Sequence, residues 1–92
     1  MSVIEKIKQC IRERNYLISS HAEEEMAEDG FERLDFENAI LNGVIERKMT
    51  RDIRGTRYRI EGPLNDGRSM SVLCRFRESG NLIIITVYKL EN

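Results

Sequence analysis

Apolar residues in the first half of the chain recur three or four positions apart, which is the spacing of one face of an α-helix. The pattern predicts a first helix over about Val3–Glu13 and a second that begins at His21 and stops at Asp29-Gly30. A third helix is expected over Asp35–Asn42, directly before a glycine. Between the first two helices, Tyr16–Ile18 is a short apolar segment that we interpret as a linker.

Two polar residues are candidates for helix N-caps. Ser20 with Glu23 fits the S-x-x-E capping box, in which the serine oxygen accepts from a backbone N–H and the glutamate reaches back. Asp35 is the expected cap of the third helix. A cap at Ser20 would make His21 the first residue of the second helix.

From residue 44 onward the apolar period changes to two, which is the period of a strand with one buried face. In the second of these segments Tyr58 and Ile60 alternate with Arg57 and Arg59, so the arginines are expected on the face away from the core. Turn signals rich in Asn, Asp and Gly separate the last three segments. The predicted strands are Val44–Met49, Thr56–Gly62, Ser69–Phe76 and Leu82–Tyr88.

The last of these strands is an almost unbroken apolar, β-branched run, which is typical of a strand whose two faces are both covered. We therefore place it inside the sheet. Short connections favour pairing between strands that follow one another along the chain. The sequence thus predicts one α+β domain over residues 1–92, in which N-terminal helices pack on a four-stranded antiparallel meander sheet.

Charge is divided unevenly between the two halves of the chain. Residues 1–43 hold five Lys or Arg and ten Asp or Glu, whereas residues 44–92 hold ten and six. The helical half is acidic and the strand half is basic, although the net charge is only −1. Such a division creates a local field that attracts an anion, and it is equally explained by attraction between the two halves.

Composition argues against several classes of protein. No stretch approaches the ~20 apolar residues of a membrane helix, and Glu5, Lys6 and Lys8 lie where a signal peptide has its apolar core. We therefore expect a cytoplasmic protein that does not enter a membrane. Cys10 and Cys74 both fall on apolar stripes, which indicates buried free thiols rather than a disulfide.

No pattern of ligands or glycines points to a bound group. Two cysteines and one histidine far apart in the chain lack the spacing of a zinc site. The glycine-rich loops that hold nucleotides are missing as well. We therefore expect neither a metal nor a cofactor.

His21 is the only histidine and the first candidate for chemistry. Histidine titrates near neutral pH, so its imidazole can accept and donate protons in catalysis. Glu23, Glu24 and Glu25 lie close to it along the helix. A histidine that helps to cap its helix or packs beside Phe31 explains the same position.

Arginines of the predicted sheet form the second candidate group. Planar guanidinium groups bind phosphate through paired donors, so Arg57, Arg59 and Arg75 on one face would hold a nucleic-acid backbone. Solvated arginines on an exposed strand are the alternative. Thr86 and Tyr88 share one face of the last strand, and their hydroxyls could either serve core packing or orient a phosphate.

Several of these features occur together in a known family. They are Ile18-Ser-Ser-His21-Ala22 at a helix start, Asp66-Gly67-Arg68, and the closing Ile84-Ile85-Thr86-Val87-Tyr88. With them the chain resembles, over residues 18–88, the small bacterial domain-of-unknown-function family 4258. The first helix, over residues 1–14, is then an addition to the family-like part.

That family is similar in turn to the barnase, EndoU and RelE group of metal-independent ribonucleases, which includes many toxins of toxin–antitoxin systems. The resemblance implies a site built from a helix histidine and polar sheet residues, with RNA and a cognate antitoxin or another protein as partners. It assigns catalysis to His21, Thr86 and Tyr88, and substrate binding to Arg57 and Arg75. Many relatives have an arginine four residues after the histidine, where this chain has Glu25.

Three functions stay open at this point. The first is a metal-independent ribonuclease. The second is a non-catalytic module that binds RNA or protein through the basic sheet face, and the third is a structural protein that depends on a partner. The sequence does not indicate an oligomeric state.

Overall fold

The structure is a computed structural model and describes residues 1–51 and 53–90. Within these residues the chain forms three helices and five strands, with all but one of the strands following the last helix. Their bounds are α1 (Val3–Arg12), β1 (Tyr16–Ile18), α2 (Ser20–Asp29), α3 (Arg33–Leu41), β2 (Val44–Met49), β3 (Arg57–Pro63), β4 (Ser69–Phe76) and β5 (Leu82–Leu90). The α+β class is confirmed.

The strands form one mixed sheet in the order β1-β5-β4-β3-β2. Strands β2 to β5 are the expected antiparallel meander, and β1 adds a fifth strand parallel to β5. The prediction of a four-stranded, wholly antiparallel sheet was therefore wrong by one strand.

The missed strand is Tyr16–Ile18, the segment that we interpreted as a linker. Three residues are too few to show a period of two. They become a strand because β5 offers them an unpaired edge. The backbone bonds Leu82 N–H to Asn15 O at 3.2 Å and Ser19 N–H to Ile84 O at 2.9 Å frame the pairing.

All three helices contribute side chains to one core on one face of the sheet, which we call the inner face. Ile7 from α1, Ala22 from α2 and Phe36 from α3 are completely buried there. The sheet side chains of the inner face are Tyr58, Ile60, Met70, Val72, Cys74, Leu82, Ile84 and Val87, each 8% exposed or less. Cys10 and Cys74 are buried free thiols, as predicted.

Strand β5 lies between β1 and β4, which confirms its predicted place inside the sheet. The reason that we gave for this place was wrong. Ile83 and Ile85, on the side of the strand away from the helices, are only partly buried. The apolar run therefore serves a core on one face and an exposed surface on the other.

The cap of α2 is Ser19 and not Ser20. Ser19 has extended dihedral angles, φ −65° and ψ 155°, and its Oγ accepts from Ala22 N–H at 3.0 Å. Its hydroxyl also donates to Ile85 O of β5 at 2.8 Å. His21 is consequently the second residue of the helix. Ser20 already lies inside the helix, so the predicted capping box was one residue too late.

The cap of α3 is shifted in the same way. The helix begins at Arg33 after Glu32, and Asp35 Oδ2 accepts from Glu32 N–H at 2.7 Å. Asp35 therefore supports the helix start from its third residue instead of preceding the helix.

Within the described ranges, no helix combines the length and the hydropathy that crossing a membrane requires.

Candidate functional site

The face of the sheet away from the helices is partly exposed, and we call it the open face. Its side chains can be read as rows across the paired strands, because directly paired residues point the same way. The first row is Leu17, Ile83, Arg75, Arg57 and Met49; the second is Thr86, Leu73, Arg59 and Arg47; the third is Tyr88, Ser71, Glu61 and Val44. The arginines thus lie side by side in the first two rows, and the third row contains none.

Three of the predicted substrate-binding residues lie next to one another on this face. Arg57 and Arg75 are directly paired across β3 and β4, and Arg59 is two residues from Arg57 on the same side of β3. The pairing therefore brings three guanidinium-bearing side chains together on one part of the open face.

Arg59 is held by two contacts. Its Nε donates to Glu46 Oε2 at 2.7 Å, its Nη2 donates to the same oxygen, and its Nη1 lies 3.5 Å from the Tyr88 hydroxyl. The hydrogen bonds that Arg59 donates to Glu46 raise the pKa of Arg59. Arg59 thus extends from β3 across β4 towards β5.

Strand β2 contains a bulge opposite Arg59. The register between β2 and β3 shifts between Ile45 and Arg47, so one extra residue faces the same partner strand. Val44 lies on the open face, so the period of two already directs Glu46 to the same side. The bulge then brings Arg47 to this face beside Glu46.

His21 stands at the border of the open face and is linked to it through Glu25. Its Nε2 lies 3.4 Å from Glu25 Oε1, one turn further along α2. The same oxygen accepts from Val87 N–H at 3.1 Å and from the Thr86 hydroxyl. The side chain of His21 is 68% exposed, whereas that of Glu25 is 24% exposed.

The position of α2 along β5 explains this contact. Strand β1 pairs only with the first part of β5, as far as Ile84. At Ile85 a bulge shifts the register between β5 and β4. Ser19 and Glu25 then bind the outward-facing Ile85 carbonyl and Val87 N–H groups. A carboxylate at position 25 therefore replaces a neighbouring strand at this edge.

The predicted site residues form two groups that meet on β5. One group joins His21 to Thr86 through Glu25, and the other joins Arg59 to Tyr88. Because Thr86 and Tyr88 are two residues apart, their Cα atoms are about 6.5–7 Å apart. The structure gives His21 no direct contact with an arginine among the described residues.

Sequence reasoning missed two residues of this surface, Glu25 and Glu46. The sequence shows Glu25 near His21 and in place of an arginine of relatives, and its spacing of four from His21 puts both on one helix face, but it does not show the contact with Thr86. Alternation from Val44 directs Glu46 to the same face, but the sequence does not show that Arg59 is the residue it meets there. Both residues are carboxylates that position a cationic or titratable partner.

The two thiols are poor nucleophiles at neutral pH. Burial raises the pKa of Cys74 to about 12, and burial together with Glu13 raises the pKa of Cys10. No three His, Cys, Asp or Glu side chains of residues 1–51 and 53–90 gather as ligands of a metal ion do.

A family model described as "Domain of unknown function (DUF4258)" matches residues 18–89. The chain belongs to this family. None of the curated proteins matches the chain, and neither does any solved structure.

The DUF4258 part of the chain contains every residue of the two groups on β5. It begins directly before the α2 cap and ends one residue after Tyr88. Helix α1 precedes the matched residues. Apart from Leu17, the open face therefore lies within the DUF4258 part, whereas α1 lies outside it.

Proposed function

We propose that this DUF4258 protein is a metal-independent ribonuclease that binds RNA on the open face and cleaves it beside His21. The observation that carries the proposal is that Glu25 Oε1 contacts both His21 Nε2, at 3.4 Å, and the Thr86 hydroxyl at the border of the arginine rows. A carboxylate that orients a histidine is a common arrangement in acid–base catalysis. The likeness to the barnase, EndoU and RelE group is part of this proposal.

The arginines supply the electrostatic part of the mechanism. Thr86, Leu73 and Arg59 occupy one row over three strands, so the backbone of Arg59 is about 10 Å from that of Thr86. The Arg59 side chain shortens this gap by extending to Tyr88. A phosphodiester placed over β4 would therefore meet guanidinium groups on one side and the hydroxyl groups of β5 on the other.

The reaction is an internal transfer that needs no metal and no added water. The imidazole of His21 takes the proton of a ribose 2′-hydroxyl, and the 2′-oxygen forms a bond to phosphorus. The bond from phosphorus to the 5′-oxygen breaks, and this oxygen takes a proton from Tyr88. Arg57, Arg59 and Arg75 stabilise the negative charge of the phosphorane, and the products are a 2′,3′-cyclic phosphate and a 5′-hydroxyl end.

Glu25 acts in this scheme as a positioning residue. Its Oε1 meets His21 Nε2, so the Nδ1 atom is the one that faces the substrate. The bonds from Val87 N–H and Thr86 hold the carboxylate itself in place. Glu25 therefore sets the direction of the imidazole without touching RNA.

One observation favours a second candidate, RNA binding without cleavage. Most catalytic sites exclude water, because electrostatic interactions are stronger without it. The His21 side chain is two-thirds exposed, so water reaches it freely. The basic face alone would then bind the RNA backbone in a salt-dependent manner. A protein partner, such as an antitoxin, would compete for the same face in either case.

Incubation of the purified chain with RNA in the presence of a chelator tests the proposal. We expect cleavage with cyclic phosphate ends, and a rate about 10²- to 10⁴-fold lower for His21→Ala. Glu25→Gln should lower kcat with little change in KM, because it removes orientation and not substrate contact. Glu24→Gln, on the exposed side of the same helix, is the matched control and should cleave at the wild-type rate.

The second candidate gives a different pattern. RNA would bind without turnover, Arg59→Ala would weaken binding, and His21→Ala would leave it unchanged. Cleavage that continues at the wild-type rate in an identically prepared His21→Ala protein would rule out the proposed mechanism.

A further inference from the structure

A cleft of about 510 Å³ lies on the other side of the molecule, between α1 and the sheet. Its size is within the range of small-molecule sites, roughly 300–1,000 Å³. Residues of α1 form one wall, and Tyr58 and Phe76 from β3 and β4 form the other. None of the residues that line it belongs to the open face.

The floor of the cleft is aromatic. The rings of Tyr58 and Phe76 meet edge to face, with centroids 6.3 Å apart and planes at 76°. The thiol of Cys10 closes the floor and donates to Gly80 O at 3.6 Å. A planar apolar ring would find both an aromatic face and a polarisable sulfur here.

Tyr58 also brings a polar group to this floor. The residue is 8% exposed, and its hydroxyl forms no hydrogen bond with another described residue. A tyrosine combines an apolar ring with a hydroxyl that can donate or accept, so it can meet both the apolar and the polar part of a ligand. The part of Tyr58 that remains accessible borders this cleft, so a ligand with an acceptor atom could pair with the hydroxyl.

The rim of the cleft is positive at one end. Gln9 Nε2 lies 3.4 Å from Glu13 Oε2, so the carboxylate at the far end of α1 already has a donor. Lys6 forms no ion pair with any described residue. Lys6 and Glu13 are seven residues apart, which is about 10.5 Å along the helix. The end of the cleft next to Lys6 is therefore positively charged.

We propose that this cleft binds a small aromatic acid, with its ring on Tyr58, Phe76 and Cys10 and its carboxylate at Lys6. A polar atom of the ligand then accepts from the Tyr58 hydroxyl. The site is separate from the proposed RNA surface, and because its α1 wall lies outside the matched residues 18–89, it is a feature added to the DUF4258 part.

Titration of the isotope-labelled full chain with indole-3-acetate, followed by amide chemical shifts, tests the site. We expect saturable shifts that are confined to α1 and the adjoining parts of β3 and β4. Tyr58→Phe removes only the hydroxyl and should weaken binding about 2- to 10-fold. Lys6→Gln should weaken it by up to about fivefold, while binding of neutral indole stays unchanged.

Two controls separate this site from the open face. Lys8→Gln removes a charge from the same helix outside the cleft, and Arg59→Ala removes one from the open face; neither should alter the affinity. Shifts that do not saturate, that lie on the open face, or that are equal in wild type, Tyr58→Phe and Lys6→Gln would overturn the proposal. The titration contains no RNA, so its outcome is independent of ribonuclease activity.

Discussion

At the scale of single residues, the contact between Tyr16 and Glu37 joins β1 to α3. The Tyr16 hydroxyl donates to Glu37 Oε2 at 2.5 Å, and Arg14 Nε lies 3.8 Å from the same oxygen. Glu37 is only 6% exposed, so its carboxylate depends on these partners. Burial and the bond to Glu37 raise the pKa of Tyr16 well above its ordinary value.

Tyr16→Phe should lower the free energy of unfolding by about 1.5–3 kcal/mol, because it leaves a buried carboxylate without its closest donor. Urea unfolding at neutral pH measures the loss. Tyr88→Phe is the control, since among residues 1–51 and 53–90 its hydroxyl contacts only Arg59, at 3.5 Å, and it should change stability by less than about 0.5 kcal/mol. Equal losses in the two variants would contradict a special role for the Tyr16 hydroxyl.

The same hydroxyl predicts how stability depends on alkaline pH. Its pKa is raised in the folded state, so folding favours the protonated phenol. The contribution is complete below the unfolded value of about 10 and is lost as the pH rises above it towards the folded value. The stability of wild type should therefore fall more steeply than that of Tyr16→Phe above about pH 10.

At the scale of secondary-structure elements, the start of α2 is fixed to the sheet by one serine. Ser19 both caps the helix and donates to Ile85 O, whereas Ser20 is already helical. Ser19→Ala should destabilise the fold by about 1–2 kcal/mol. Ser20→Ala, one residue on, should change stability by less than about 0.5 kcal/mol, as judged by thermal unfolding. A larger loss of stability in Ser20→Ala than in Ser19→Ala would indicate that Ser20 is the cap, as the sequence predicts.

The packing of α3 on β3 depends on a missing side chain. A Cβ at Gly62 would lie 1.8 Å from the Ala39 carbonyl oxygen and 2.7 Å from the Ala39 Cα atom. Both atoms are backbone, so no rotamer change can make room. The helix can approach the strand only because residue 62 is glycine.

Gly62→Ala should therefore destabilise the protein by about 3 kcal/mol or more, as overpacking does when the neighbour cannot move. Gly30→Ala is the matched control, because it meets nothing within 4 Å and has only a positive φ of 71° to oppose it. It should cost about 1–2 kcal/mol. Denaturant unfolding of the two variants compares a steric effect with a conformational one.

At the scale of the whole molecule, α1 completes the core although it lies outside the family match. Ile7 is completely buried in the same cluster as residues of α2, α3 and the sheet. Ile7→Ala should lower the free energy of unfolding by about 2–5 kcal/mol. Ile4→Ala, at a partly buried position of the same helix, should cost clearly less. A small loss for Ile7→Ala would mean that α1 is an appendage.

The charge pattern of the molecule also gives a prediction for RNA binding. Glu46 occupies Arg59 and competes with any phosphate for its guanidinium group. Glu46→Gln should therefore raise the affinity for RNA by up to about fivefold at low salt. Glu61→Gln removes the same charge from the open face without releasing an arginine, so it should have a smaller effect. Equal gains would indicate only a change in net charge.

Local patterns in the sequence predicted most of the elements correctly. Strand β4 has the predicted bounds, and β5 is interior as expected. The segment at Tyr16–Ile18 and the caps at Ser19 and Glu32 were missed or shifted, because a short strand and a cap are chosen by what lies next to them in space. For the site, alternation predicted that Arg57, Arg59 and Arg75 share a face, since that follows from a period of two.

The sequence alone determined the periods, and with them the α+β class and which side of each strand faces the core. The tertiary structure decided which strands pair and which side chains the carboxylates of Glu25 and Glu46 contact. Glu25 joins His21 to Thr86 only because α2 lies along the unpaired part of β5, and Glu46 meets Arg59 because the register between β2 and β3 brings them side by side. Such contacts join residues that are far apart in the chain. They depend on which backbone N–H and C=O groups remain without a hydrogen-bond partner once the helices and strands are packed together.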